Sequence, residues 1–271
     1  MINLKKLDLL KHLESEVGIV PNDTVFLFSD LRGLGNFENG AEGVLEVFEK
    51  ILTKGNIVLP TFSYSWNQKR EYEVTSKNAP LMGTVAQHSI SRKGYTRTNH
   101  PNFSVNIYSR QEDFISSVLP KSRDTFGEGS TMHNIYKCYP KCKIILLGGA
   151  FSDSLYRNTF IHTAQQISNV WYRYLKNIPN PQNPNEYVTQ LVRFQNKEEF
   201  EKHTDTKFTK NSKFPITENY DDLGEILLNS NKLKIINFAY SQTKVATVSE
   251  TIDSFIEEYE RNSDFGVQIE S

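Results

Sequence analysis

Hydrophobic positions in the first quarter of the chain predict a helix followed by a βαβ unit. Residues 24–28 form a β-branched and aromatic run typical of a buried strand, and residues 56–62 form a second one that ends at Pro60-Thr61. Between them, apolar side chains recur at the three- and four-residue spacing of a helix: Val44, Leu45, Phe48, Ile51 and Leu52. A preceding helix is predicted because four leucines recur at similar spacing: Leu4, Leu7, Leu10 and Leu13. Gly18 and Pro21 mark the end of this helix.

Strands and helices continue to alternate along the rest of the chain. The pattern predicts strands at 103–108, 143–147, 187–194 and 233–238, and helices at 81–90, 114–118, 222–228 and 245–259. Another helix begins after Ser130, which has the side chain of an N-cap. Residues 63–80 lack periodicity and are expected to pass over the surface or the site. The alternation predicts an α/β sheet in one domain, residues 1–271, with an elaborated C-terminal third.

Composition narrows the class of partner. The 271 residues carry 31 basic and 32 acidic side chains, a formal net charge of −1, so we expect no nucleic-acid partner. The N-terminal segment is amphipathic rather than a signal peptide, and no apolar stretch is long enough to insert into a membrane. Two cysteines, Cys138 and Cys142, fit a reducing compartment. We therefore expect a cytoplasmic protein.

The segment after the strand at 143–147 carries the most distinctive candidate chemistry. Gly148-Gly149 ends the strand, and Asn158 or Thr159 resembles a helix N-cap. His162 would then lie in the first helical turn, beside backbone N–H groups without partners, and a base beside such donors suits acyl transfer. Asn158, His162 and Gln165 would form a polar stripe on one face. The alternative is a core histidine with satisfied hydrogen bonds.

Two further segments are candidates for binding an anion. The turn from Ser29 to Gly35 joins a strand to a helix and exposes backbone N–H groups, although its spacing matches neither the dinucleotide fingerprint nor the P-loop. Arg97, His100 and Ser104 together provide a positive, hydrogen-bonding patch suited to a phosphate or a pantetheine chain. The alternatives are an ordinary strand-to-helix turn and a loop histidine bonded to the backbone.

Other catalytic classes receive little support. Cys138 and Cys142 lie near His133, but no second ligand pair accompanies them, so we predict no metal site. Cys138 has no adjacent histidine in the sequence to activate it as a nucleophile, and the Gly-x-Ser-x-Gly pattern of serine hydrolases is absent.

Short motifs in a fixed order resemble the aminoglycoside 3-N-acetyltransferase family. They are residues 28–35 (FSDLRGLG), 59–62 (LPTF), 96–105 (TRTNHPNFSV), 126–130 (FGEGS), 146–148 (LLG), 157–159 (RNT) with His162, and 172–174 (YRY). Each motif is short, but their number and order make coincidence improbable. The resemblance spans residues 20–176 and, more loosely, the remainder.

The resemblance implies an acyl-CoA-dependent N-acyltransferase built on a single mixed sheet flanked by helices. His162 would be the general base, with Asn158 beside it, in direct transfer from acyl-CoA to the acceptor amine. The acceptor would meet Thr61, Gln165 and Tyr172, and the oligomeric state is open between a monomer and a homodimer. Coenzyme A would be held by two groups of residues: Ser29, Leu31, Arg32, Gly33, Leu34 and Gly35, and then Arg97, His100 and Ser104.

Two departures from the family pattern affect the expected acceptor. The family has a glutamate where this chain has Gln165, and an acid expected after the Tyr-Arg-Tyr segment falls on Gln195 and Asn196. Aminoglycosides are polycations and favour an acidic site, so losing carboxylates favours a less cationic acceptor. A branch of this superfamily, the sugar-nucleotide amino-sugar N-acyltransferases, acts in surface-polysaccharide synthesis, and the chain resembles it. That resemblance implies acylation of a nucleotide-linked amino-deoxyhexose, at C3, for surface polysaccharide or O-antigen synthesis. Antibiotic modification is the alternative, and a non-catalytic coenzyme A-binding protein is a third.

Overall fold

Strands and helices alternate around one large sheet in the computed structural model, which describes residues 3–79, 82–148, 153–210 and 213–268. The strands in these ranges are β1 (Asn3–Leu4), β2 (Thr24–Ser29), β3 (Asn36–Phe37), β4 (Asn56–Pro60), β5 (Tyr95–Arg97), β6 (Val105–Ser109), β7 (Lys143–Leu147), β8 (Arg173–Pro179), β9 (Tyr187–Arg193), β10 (Lys234–Phe238) and β11 (Ser241–Thr247). The helices are α1 (Lys6–Lys11), α2 (Gly40–Ile51), α3 (Gly83–Ser89), α4 (Glu112–Val118), α5 (Thr131–Cys138), α6 (Asp153–Ile167), α7 (Lys197–Thr204), α8 (Asp221–Asn229) and α9 (Val248–Arg261). A π-helical turn, His12–Val17, follows α1, and a 3₁₀ turn, Leu31–Leu34, follows β2.

The large sheet is mixed, as the family resemblance implied. Its strand order is β10-β11-β7-β2-β4-β6-β5, in which β7, β2 and β4 are parallel and their outer neighbours are antiparallel. The ends of β2 and β7 pair as Ser29 with Leu147, and β4 ends where β6 begins, at Pro60 and Val105. The strand ends that meet here form what we call the carboxyl edge.

Alternation along β2 places apolar side chains on both faces of the sheet. Val25 and Leu27 pack with α1 and α2 on one face, while Phe26 packs with α6 and α9 on the other. The strand is buried on both faces, which explains its nearly continuous apolar sequence.

Several predicted elements are confirmed, including β2, α2, β4, β7 and the helix after Ser130. The Ser130 hydroxyl accepts a hydrogen bond from the backbone N–H of His133, as an N-cap does. Residues 63–79 contain no regular element, as expected.

The predicted start of the last helix is wrong. Residues 245–247, assigned from sequence to the last helix, belong to β11, because the apolar Val245 and Ala246 lie buried beside β7 instead of starting a helical face. In the N-terminal helix, Leu7 is 54% exposed, while Leu9 and Leu13 are buried against the sheet-facing core. The helix itself and its stop at Gly18 are confirmed, and Leu9 joins Leu13 of the predicted series in the core.

The C-terminal third elaborates the fold, as predicted. β8 and β9 form a separate antiparallel hairpin, followed by the exposed α7 and then by α8. None of the described helices has the length and apolarity needed to cross a membrane.

Candidate active site

His162 lies within α6 (Asp153–Ile167), beyond the first turn of that helix. The predicted N-cap at Asn158 or Thr159 is therefore wrong. Both are short polar residues of the kind that often cap helices, but in this chain they lie inside a helix that has already begun. His162 consequently does not gain the unpaired backbone N–H groups of a first turn. The side chain of Asn158 and residues 149–152 lie outside the described part of the structure, so the role of Asn158 stays a prediction.

The imidazole of His162 is partly exposed and held from two sides. Its Nδ1 lies 2.8 Å from Oε1 of Gln165, and the edge of the Phe126 ring packs on it with ring centroids 4.9 Å apart. Burial, with the nearby Arg173 guanidinium, lowers the pKa of His162 to about 3. The side chain is therefore neutral at neutral pH and able to accept a proton.

The amide of Gln165 determines which imidazole nitrogen accepts that proton. Its Nε2 donates to the hydroxyl of Tyr220 at 2.7 Å and to Oε1 of Glu218 at 3.2 Å. An ionised carboxylate only accepts hydrogen bonds, so the amide nitrogen must face Glu218 and its oxygen must face His162. A carbonyl oxygen also only accepts, so Nδ1 carries the hydrogen and Nε2 carries the lone pair.

Glu218 is itself held by a buried arginine. Arg173 donates from Nε to Oε1 at 2.7 Å and from Nη2 to Oε2 at 2.8 Å, a forked pair with both side chains at most 10% exposed. Burial alone would raise the pKa of Glu218, but the Arg173 charge and the hydrogen bonds from Tyr220 and Arg173 act together against burial, and this pKa is held below the usual range. Glu218 is therefore ionised at neutral pH.

Sequence reasoning missed Glu218 and Tyr220 and located the acid elsewhere. The predicted position falls at Gln195 and Asn196, and Asn196 instead caps α7 by accepting from the backbone N–H of Glu199 at 2.7 Å. Glu218 lies 53 residues beyond Gln165 in the chain. No local spacing signals such a pair, because packing of the C-terminal third brings it together.

Three residues expected to touch the acceptor lie beneath the surface. Thr61, Gln165 and Tyr172 are each fully buried. Thr61 bonds the backbone of Ser104, and Tyr172 donates to the carbonyl of Phe265 at 3.2 Å. Their side chains therefore have no surface to offer a substrate, and Gln165 and Tyr172 belong instead to the hydrogen-bond network behind His162.

The turn after β2 borders a cleft at the carboxyl edge. The cleft holds about 820 Å³ and lies between Arg32 and Gly33 on one side and residues 239–242 of the β10–β11 hairpin on the other. Asp30 caps the 3₁₀ turn and binds the Arg32 guanidinium, whose side chain is still 84% exposed. Among the other predicted residues, Ser29 and Leu34 are buried, and Leu31 and Gly35 are partly exposed.

Arg97, His100 and Ser104 make internal contacts instead of forming an open anion patch. The guanidinium of Arg97 donates to the Ser104 hydroxyl at 3.0 Å and to backbone carbonyls of Thr61 and Ser76. Nδ1 of His100 accepts from the backbone N–H groups of Asn102 and Phe103, at 3.2 and 2.9 Å. The alternative of a loop histidine bonded to the backbone is confirmed.

Comparison with known proteins identifies the family. Residues 26–259 match the sequence profile described as aminoglycoside 3-N-acetyltransferase. The chain belongs to this family. No curated protein sequence matches it at a significant level.

Solved structures that include aminoglycoside acetyltransferases share the fold of this family member. The apoenzyme of AAC(3)-IVa superposes with a TM-score of 0.73 at 16% identity, over 97% of this chain and 91% of that one. The YokD protein from Bacillus subtilis gives 0.71 at 18% identity, over 97% and 96%. AAC-IIIb in a binary complex with CoASH gives 0.71 at 14% identity, over 98% of both chains. At these identities the likeness shows the fold.

Membership of the aminoglycoside 3-N-acetyltransferase family makes this chain an N-acyltransferase, and acyl-CoA is the co-substrate of the family.

Over the ranges that the structure describes, no three His, Cys, Asp or Glu side chains come close enough together to hold a metal ion. Cys138 is exposed and Cys142 buried.

Proposed function

We propose that this protein transfers an acyl group from acyl-CoA to an amine of an aminoglycoside, with Nε2 of His162 as the general base. Family membership supports the reaction and the acceptor class. The observation that carries the assignment of the base is the 2.8 Å contact between Nδ1 of His162 and the Gln165 carbonyl oxygen, because it leaves the Nε2 lone pair to accept a proton.

The reaction needs one base and no covalent enzyme intermediate. The neutral acceptor amine attacks the thioester carbonyl carbon, and Nε2 of His162 takes the amine proton as the carbon–nitrogen bond forms. The carbon–sulfur bond then breaks, and the coenzyme A thiolate receives that proton from the imidazolium. The low pKa of His162 makes the imidazolium a ready donor in this second step.

The cleft beside the 3₁₀ turn suits the phosphate end of acyl-CoA. Arg32 presents an exposed guanidinium whose direction is fixed by its hydrogen bonds to Asp30. Gly33 has no side chain, so a phosphate in the cleft can come close to the backbone there. The cleft opens at the same edge of the sheet where β7 ends before α6. The related AAC-IIIb has been solved with CoASH, which supports coenzyme A as the co-substrate here.

A nucleotide-linked amino-deoxyhexose, acylated at C3 for surface polysaccharide or O-antigen synthesis, is the second candidate acceptor. The observation favouring it is the charge balance near His162. Glu218 is paired with Arg173 and also lies 3.7 Å from Arg193, so these groups together carry no excess negative charge for a polycation. A hexose with one amine and a diphosphate needs no such excess.

One assay separates these acceptors and tests the base. Purified protein is given acetyl-CoA with apramycin, gentamicin or sisomicin, and in parallel with nucleotide-linked amino-deoxyhexoses, while thiol release and product mass are measured. We expect acylation of an aminoglycoside; acylation of the sugar nucleotides alone would establish the second candidate. Coenzyme A binding without turnover of any amine would identify a non-catalytic binding protein.

The base is tested in the same assay with His162→Gln. We expect kcat to fall by about 100-fold or more, with coenzyme A affinity unchanged, because the variant loses proton transfer and leaves the cleft intact. His203→Gln, on the exposed α7, is the matched control and should retain wild-type turnover. Near wild-type kcat in His162→Gln would place the base elsewhere.

A further inference from the structure

A carboxylate and an imidazole are joined through a single amide in this site. We propose that Glu218 is a positioning residue that acts through Gln165 to hold His162 in its Nδ1–H tautomer, so that Nε2 is the base. This inference rests on the proposed role of His162. It concerns a residue that reaches the imidazole from a distant part of the chain.

Among the acceptors that face the amide nitrogen of Gln165, only Glu218 cannot also donate. Glu218, ionised by its pairing with Arg173, accepts from Nε2 of Gln165 at 3.2 Å. The hydroxyls of Tyr220 and Tyr172 accept from the same nitrogen at 2.7 and 3.3 Å, but a hydroxyl can rotate and donate to an oxygen instead. A rotated amide would place its oxygen against the Glu218 carboxylate, and this repulsion is what excludes the alternative orientation.

The amide transmits orientation to the imidazole without transmitting charge. A carboxylate at position 165 would bond Nδ1 directly and stabilise the imidazolium, which raises the pKa of a histidine. Gln165 is neutral, and Arg173 balances the Glu218 charge. The network therefore selects the tautomer of His162 and leaves the imidazole a weak base.

A purely structural role for Glu218 makes a different prediction. If Glu218 only neutralised the buried Arg173, removing it would lower stability without changing which nitrogen of His162 carries the hydrogen. The tautomer is directly observable from imidazole ¹⁵N chemical shifts, whether or not an acceptor has been found. His100 supplies an internal reference, because its Nδ1 accepts two backbone N–H groups and the hydrogen must be on Nε2.

The first measurement is therefore the ¹⁵N spectrum of the full chain labelled at histidine, with the His162 signals assigned by their loss in His162→Gln. We expect Nδ1–H for His162 in the wild type. In Glu218→Gln the amide can face either way, so we expect a mixture of tautomers or the Nε2–H form. An unchanged Nδ1–H signal in Glu218→Gln would overturn the proposal.

The second measurement exchanges the two groups. Glu218→Gln should lower kcat by at least about 10-fold with KM for acyl-CoA unchanged, since a wrong tautomer cannot accept the proton. Gln165→Glu should also be impaired, because it places two carboxylates at the 3.2 Å contact. The double variant Gln165→Glu/Glu218→Gln restores one carboxylate and one amide, and its kcat should return to within about 3-fold of wild type. A double variant no better than either single one would contradict the proposal.

Two controls keep the results separable. Glu199→Gln removes another carboxylate of the C-terminal third, one bonded to Tyr174 and not to His162, and should alter neither tautomer nor kcat. If Glu218→Gln fails to fold with Arg173 unpaired, Gln165→Met breaks the same relay with the ion pair intact and should lose the Nδ1–H preference. If the tautomer of His162 changes in Glu218→Gln as expected, but the wild type itself acylates no amine, the proposed function is refuted and the positioning role of Glu218 stands.

Discussion

Two histidines of this chain are fixed in opposite tautomers by what their ring nitrogens meet. At His162 a carbonyl oxygen faces Nδ1, whereas at His100 two backbone N–H groups do. Nε2 of His100 is directed at the hydroxyl oxygen of Thr125, 3.3 Å away, and that hydroxyl donates onward to the carbonyl of Thr189. His100 therefore has structural partners for both nitrogens, while His162 retains a nitrogen for chemistry.

His100 should make the protein sensitive to acid. Burial lowers its pKa to about 4, below the value of about 6.5 for an unfolded histidine, so the unfolded chain binds the extra proton first. Its contribution to stability is complete above about pH 6.5 and is lost as the pH falls towards 4. His100→Gln should reduce the slope of unfolding free energy against pH by about 1.4 kcal/mol per unit in that window, measured by urea titrations.

His203→Gln on α7 is the matched control for this titration. It makes the same exchange of histidine for glutamine on an exposed helix, outside the buried surroundings of His100. If His100→Gln and His203→Gln give the same pH dependence, His100 does not contribute in the way the structure indicates.

Arg97 is one of the side chains that fasten the irregular segment 63–79 to the sheet. Arg97, at the end of β5, donates from Nη1 to the carbonyl of Ser76 at 2.7 Å and from Nη2 to that of Thr61 at 2.8 Å. Its guanidinium also lies 5.6 Å from the centre of the Tyr72 ring. Arg97 thus adds hydrogen bonds to a segment without a helix or strand of its own, alongside those that Asn102 and Thr98 accept from Trp66 and Tyr72.

Arg97→Met should loosen this segment. The backbone carbonyls of Thr61, Ser76 and Asn78 lose a charged donor, so we expect a loss of about 1–3 kcal/mol in unfolding free energy. Trypsin cleavage after Lys69 and Arg70 should become faster in limited proteolysis followed by mass spectrometry. Arg110→Met, which removes an exposed guanidinium from the face of Tyr108, should leave both measurements close to wild type. Equal cleavage rates in the two variants would show that Arg97 does not hold the segment.

The two hydrophobic cores share the strands of the large sheet and so depend on each other. Phe48 of α2 lies in the core on one face, and Phe160 of α6 lies in the core on the other, where its ring packs on Phe26. Neighbouring positions of β2 supply side chains to both cores. Loss of either core therefore removes support from the strand that organises the other.

This arrangement predicts one cooperative unfolding transition for the whole chain. Phe48→Ala and Phe160→Ala should each lower the unfolding free energy by about 3–5 kcal/mol and shift the same transition. Far-UV circular dichroism and the fluorescence of Trp66 and Trp171 should report coincident midpoints. Two separated transitions, each moved by only one substitution, would show that residues 1–271 do not unfold as one domain.

The local pattern of hydrophobic and capping residues was sufficient to predict many of the strands and helices of this fold. The strands β2, β4 and β7, the helix α2 and the Ser130 cap follow from periodicity and from side chains that bond nearby backbone, interactions that span a few residues. The motifs also pointed to the family and to His162. These features are encoded locally, because a buried strand must be apolar and an N-cap must accept a hydrogen bond wherever the rest of the chain lies.

Tertiary packing decided what surrounds that histidine. It placed His162 inside a longer helix, buried Thr61 and Tyr172, made β11 a strand of the large sheet and brought Glu218 to Gln165 across 53 positions of sequence. The substitution of glutamine for the family glutamate indicated a lost carboxylate, yet the structure supplies one from a segment with no local motif. A hydrogen bond between distant residues depends on how whole elements pack, and short-range spacing carries no record of that packing.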